Sequence, residues 1–102
     1  MEAIKALVYK TNGEVESITP ENGKYFSLKE MQGICDGVVD IQELPKSNRL
    51  IILNDEGKLI GLPINEKATE VWKREYPIAE YPHNNYELIV GNVIVCDKSM
   101  VQ

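Results

Sequence analysis

Cys35, His83 and Cys96 are the side chains of this sequence best suited to nucleophilic chemistry. A thiol attacks as its thiolate, and a neighbouring imidazole is the usual means of forming one. The chain carries two cysteines and one histidine in 102 residues, so a catalytic pair must set Cys35 or Cys96 against His83. Both cysteines sit in apolar surroundings that read as reduced, buried core. His83 lies in a Pro-His-Asn-Asn loop, where an exposed polar side chain is the ordinary reading. One histidine rules out a His-rich metal site, and the cysteine spacing fits no zinc pattern. Phosphate-loop, dinucleotide-binding and nucleophile-elbow motifs do not occur. Sixteen acidic residues always offer carboxylate pairs on paper, so such pairs carry no signal. The expectation is a protein with no catalytic residue, no metal and no cofactor, a Cys/His-dependent enzyme ranking last.

Recognition has better candidates. Tyr81, His83, Asn84, Asn85 and Tyr86 combine aromatic surfaces with hydrogen-bonding groups, a mixture enriched at binding surfaces. The competing reading has the tyrosines anchoring their loop while the amides form turns. Arg49, just ahead of an apolar run, suits an anion or a carboxylate equally. Net charge is −5 and is unevenly spread. Between residues 12 and 43, Glu14, Glu16, Glu21, Glu30, Asp36, Asp40 and Glu43 face only Lys24 and Lys29, while the rest of the chain balances. That argues against nucleic-acid binding, which needs a basic stripe. An acidic face suits a basic protein or a DNA mimic, and equally a plain solvated surface.

These residues must be positioned by one domain, 1–102, with 43% hydrophobic and 26% charged residues, ordinary values for a folded protein. No apolar run is long enough to span a bilayer, and no basic-then-apolar leader opens the chain; the expected location is cytoplasmic, with no membrane partner. Residues 3–10 alternate as a strand, Thr11-Asn12-Gly13 supplies a hairpin turn, and 14–19 form the return strand before Pro20. Ser27-Leu28-Lys29-Glu30 has capping-box spacing. It predicts a helix with Leu28 and Met31 on one face, stopped by Gly33. Strands are predicted over 38–44 and, buried on both faces, over 49–53. Residues 87–97 read as one bent strand around Gly91-Asn92, or as a hairpin.

The segment "EGKLIGLPINEKAT", 56–69, joins a strand to a helix. Residues 58–62 are predicted to return antiparallel to 49–53, with Gly61 marking a bulge or a close approach of backbone. Pro63 stops the strand because it cannot donate to a ladder. Asn65 is a favoured N-cap, and Ala68, Val71, Trp72 and Tyr76 recur at helical spacing. The fold class expected is α+β: a mostly antiparallel sheet of five to seven strands with two helices, the longer one, about 65–76, packed on one face. A sheet of this size leaves an edge, so a homodimer is one way to use it.

Taken together, "IKALVYKTNGEVE", "LKEMQGICDGVVDIQELP", "LIILNDEGKLIGLPIN" and "ELIVGNVIVC" resemble a family of small bacterial and phage proteins, domain of unknown function family 3846. Its most recognisable part here is the Gly-Leu-Pro-x-Asn element, 61–65, with the helix segment carrying Leu28 and Gln32. The resemblance implies context: an accessory protein of a phage, prophage or other mobile element, acting by non-catalytic binding to a protein partner. The alternative is a small-ligand binder of nucleotide-like molecules, although an acidic chain suits phosphates poorly.

Overall fold

A computed structural model of the chain describes residues 6–76 and 88–101. Five strands form one sheet in the order β2-β1-β5-β4-β3, every neighbouring pair antiparallel. They are β1 (Ala6–Tyr9), β2 (Val15–Ile18), β3 (Val39–Leu44), β4 (Arg49–Asn54) and β5 (Val93–Asp97), with helices α1 (Leu28–Cys35) and α2 (Glu66–Glu75). This is the α+β arrangement expected. Two hairpins, β1–β2 and β3–β4, flank β5, which lies in the middle. That position explains why Val93, Ile94, Val95 and Cys96 are all apolar and all buried.

Successive residues of a strand point to opposite faces, and here each face has its own core. Ile52, Ile94 and Cys96 pack with Ala6, Val8, Phe26, Met31, Cys35 and Met100 beneath α1. Ile51, Val93 and Val95 pack with Leu44, Ile89, Ala68, Val71 and Trp72 beneath α2. The sheet is therefore sandwiched between the helices, and the continuous apolar run of β4 serves both sides as expected.

Local chemistry sets the boundaries. In the first hairpin Lys10 N donates to Glu14 O (2.9 Å) and Gly13 takes φ 93°, the positive value the turn requires. The capping box of α1 forms in full: Glu30 N donates to Ser27 Oγ (3.1 Å) and Ser27 N to Glu30 Oε1 (3.0 Å). Two expectations for this helix are corrected. Gly33 does not stop it; the chain continues to Cys35, and Asp36 turns left-handed at φ 63°. The stop is the left-handed Asp36, with Gly37 N donating to Gln32 O (3.0 Å), and Asn54 Nδ2 secures it by donating to the carbonyls of Cys35 (2.9 Å) and Asp36 (3.1 Å). Leu28 in the first turn is 58% exposed, and the buried stripe instead runs through Met31 and Cys35.

Residues 58–62 are not a strand. The chain leaves β4 into a single helical turn in which Leu62 N donates to Gly57 O (2.9 Å) and Gly61 N to Lys58 O (3.4 Å). This bond pair, with Gly61 at φ 74°, is a Schellman closure. Gly61 thus ends a turn rather than bending a strand. Asn54 Oδ1 accepts from Glu56 N (2.7 Å), which starts the turn at the point where the ladder stops. At the other end, α2 is tied to the β3–β4 turn by Glu75, whose buried carboxylate accepts from Lys46 N (2.6 Å) and Ser47 N (3.2 Å).

Candidate functional site

The strand-to-helix joint is a buried polar knot built on Asn65, which is 0% exposed. Its Oδ1 accepts from Ala68 N (3.1 Å), capping α2. Its Nδ2 donates to Tyr9 O (2.7 Å) on β1 and to Gly91 O (2.9 Å). Thr69 completes the knot, donating from Oγ1 to Asn65 O (2.8 Å) and accepting from Ile89 N (2.9 Å). Both amide hydrogens and the carbonyl oxygen of Asn65 are engaged by backbone, and the side chain is fully buried, so the residue is structural and offers nothing to a ligand.

Pro63 and Gly91 meet at the same place. Gly91 N donates to Pro63 O (2.8 Å) and Ile64 bridges Val90. Gly91 has φ 77°, and a Cβ there would stand 2.7 Å from Leu62 Cδ1. Residues 88–90 therefore pair with the joint, and β5 begins only after Gly91 has redirected the chain. The segment is bent, as preferred from sequence, but it is interrupted rather than continuous.

Beside the knot the α2 face is incomplete among the described residues. A cavity of about 450 Å³ opens where β3 and β4 run past the helix, lined by Asp40, Gln42, Leu53, Asp55, Lys58, Leu59, Trp72 and 88–90, among others. Its volume lies in the range of small-molecule and side-chain sites. Gln42 Nε2 donates to Asp40 Oδ2 (2.6 Å), which fixes that carboxylate on the cavity wall. Trp72 stacks at a tilt on Tyr76, ring centroids 4.5 Å apart. Its indole N–H is buried and meets no acceptor among the described residues, an arrangement that costs about 1–3 kcal/mol when left uncompensated. Leu59, 85% exposed, and the exposed Leu88 both line the cavity, and Ile60 and Ile64, close in the chain to Leu59, are exposed as well.

The described candidates named from sequence, Arg49, Cys35 and Cys96, fall away from the cavity. Tyr81, His83, Asn84, Asn85 and Tyr86 lie outside the described residues. Arg49 opens β4, at the end of the strand away from the cavity and in register with Asp97. Cys35 and Cys96 are free and wholly buried in the α1 core. Burial pushes the Cys35 thiol up to about 12, with Asp36 adding to the rise, and the Cys96 thiol up to about 11. Thiols so held are protonated at neutral pH and inaccessible, the opposite of what a nucleophile needs. No group of acidic, histidine or cysteine side chains suited to a metal occurs among the described residues, and no described helix is long and apolar enough to cross a membrane.

Sequence reading did not single out Asp40, Gln42 or Leu59. A usable signal existed in β3: Asp40 and Gln42 share a face with Leu44, which is fully buried under α2. Polar residues at two of three inward positions mark a place where the core has been left open.

The family profile of DUF3846, a domain of unknown function, matches residues 4–100. The chain belongs to this family. No curated protein and no solved structure matches it.

Proposed function

We propose that this DUF3846 domain is a non-catalytic binding module, an accessory protein of a phage, prophage or other mobile element that engages a protein partner through the open end of its α2 face. The observation that carries the reading is Leu59, 85% exposed at the rim of the cavity. It stands with Ile60, Ile64 and Leu88 on backbone pinned by the Gly61 closure and the Asn65 knot. Grouped exposed apolar side chains on fixed backbone are a feature of interaction surfaces.

Capture from bacterial lysates tests it. The tagged domain is expected to retain a specific partner, and Leu59→Asp to lose it without change in circular dichroism or Tm. Recovery of no specific partner across several hosts, or capture indifferent to Leu59→Asp, removes the proposal.

A small ligand in the cavity is the second reading, favoured by the volume alone. Asp40 and Asp55 against Lys58 on the wall disfavour a phosphate and favour an amine or amide. A thermal-shift panel of nucleotides and amines is expected to respond only to the latter.

A further inference from the structure

The cavity adjoins the edge of the sheet, and the two features together define a partner more narrowly. β3 is the outermost strand, and its ladder is with β4. In an antiparallel ladder the N–H and C=O of one residue point to the same side, and the sides alternate along the strand. Val38 O accepts from Asp55 N (2.8 Å) on the β4 side, so Val39, Ile41 and Glu43 turn their backbone groups outward. The Tyr76 hydroxyl donates to Glu43 O (2.6 Å) and covers that end of the edge. Among the described residues the groups of Val39 and Ile41 are left as a short template for another strand.

Side chains on the two sides of this template differ. Towards α2 stand Asp40 and Gln42, at the cavity wall with Asp55. One Asp40 oxygen is held by Gln42, and the other has no partner among the described residues. Towards α1 stand Val39, packed on the edge of the core, and Ile41, an exposed apolar side chain beside the exposed Val38. A strand added here alternates between the two environments. Its side chains on the α2 side meet the carboxylates of Asp40 and Asp55, two against one cation, Lys58, among the described residues of that wall, above an apolar floor of Leu53 and Trp72; those on the α1 side meet Val38 and Ile41.

We infer that β3 receives an extended segment of a partner protein by strand addition, with lysine or arginine side chains entering the cavity beside Asp40 and apolar side chains covering Ile41. A long basic side chain fits such a wall, its stem on the apolar floor and its charge at the carboxylates. A second copy of the chain fits worse. Outward groups pair only with outward groups, so two-fold pairing centred on Ile41 sets Asp40 against Gln42 and Val39 against Glu43 of the other copy, and brings no basic side chain to Asp40.

The inference rests on the partner-binding reading above and is tested separately from it. Fluorescein-labelled octapeptides of alternating lysine and valine, of alternating glutamate and valine, and of lysines followed by valines are titrated by anisotropy. The alternating Lys/Val peptide is expected to bind at least about tenfold more tightly than either other, a difference of one good charged contact. Ile41→Pro removes an outward N–H while leaving the β4 ladder intact, and is expected to abolish the difference. Ile41→Lys, which repels a basic strand, does so without altering the backbone should the proline variant unfold. Asp40→Asn is expected to weaken the alternating peptide about tenfold. Equal binding of the two lysine peptides, no binding, or insensitivity to Ile41→Lys and Asp40→Asn overturns the inference. So does a dimer in sedimentation that Ile41→Lys dissociates, since the edge is then used by a second copy. Lysate capture that is lost with Leu59→Asp but survives Ile41→Lys sinks the inference alone; survival in both sinks the binding reading as well.

Discussion

The two faces of the sheet are finished to different standards. Under α1 the central positions of β1, β4 and β5 are apolar and buried, Phe26 and Met100 fill the flank, and both helix ends are secured, by Ser27 and by Asn54. Clefts that remain there, of about 310 and 290 Å³, are smaller than the one under α2. Under α2 the core is equally dense at the Leu44 end but gives way to Asp40, Gln42 and a cavity at the other. A face selected only for stability continues the apolar row, because each buried aliphatic side chain contributes about 1.5–3 kcal/mol. The α2 face forgoes that contribution at two positions of β3 and exposes Leu59 beside them. The contrast separates the part of this molecule that builds the fold from the part available to recognise something.

The largest effects are expected at the buried asparagines, one serving each face. Asn65→Ala strands the carbonyls of Tyr9 and Gly91 and uncaps α2, and is expected to cost about 4 kcal/mol in denaturant unfolding. Asn54→Ala also strands two carbonyls, one bond buried and one part-buried as at Asn65, but leaves the Ser27 cap of α1 in place, and about 2–3 kcal/mol is expected. A larger loss at Asn54 than at Asn65 would break the view that the α2 joint is the central tie of the fold.

Two glycines sharpen the comparison next. Gly61 and Gly91 share a positive φ, 74° and 77°, but a Cβ meets nothing within 4 Å at the first and Leu62 at 2.7 Å at the second. Gly61→Ala is expected to cost about 1 kcal/mol of backbone strain. Gly91→Ala adds an overlap and is expected to cost about 2–3 kcal/mol. Equal costs would mean that Leu62 moves aside freely and that the joint is less rigid than described.

Smaller effects distinguish the open end from the closed face. Asp40→Leu extends the apolar row of β3 and is expected to raise stability by about 0.5–1 kcal/mol while abolishing binding of the basic peptide, the usual trade at a functional position. A loss of stability would show that Asp40 serves the fold. On the α1 face, Cys35 and Cys96 hold thiols raised from 9.0 to about 12 and about 11. Unfolded thiols ionise first, so their contribution is complete below pH 9 and declines as pH rises towards the folded values. Tm is expected to be insensitive to these groups at neutral pH and to fall above pH 9, less so in Cys35→Ala/Cys96→Ala.

Much of the fold was legible because it depends on local rules. Ser27 and Glu30 stand at capping-box spacing, Asn65 is the residue type an N-cap prefers, and the paired apolar runs of β4 and β5 require burial on two sides. The errors arose where backbone closures, not hydrophobic pattern, decide the outcome. Gly33 resembles a helix stop, yet the chain runs on to a left-handed closure at Asp36 that Asn54, from another strand, secures. Residues 58–62 have a strand-like composition, but the Asn54 turn and the Gly61 closure fold them as a helical turn, whose i→i+5 bond leaves no trace in hydrophobic periodicity. The cavity was illegible for a similar reason: Asp40 and Gln42 matter through the row they share with Leu44, and that row acquires meaning only once α2 is known to lie over it.

The central claim is that the open end of the α2 face, with the β3 edge, is where this domain binds. Amide and indole chemical-shift mapping with the alternating Lys/Val octapeptide tests it most directly. Shifts are expected at 39–42, 53–59 and 88–90 and at the Trp72 indole N–H, with the α1 core unmoved. Shifts confined to the acidic β2 edge or to Arg49, or none at saturating peptide, would contradict it.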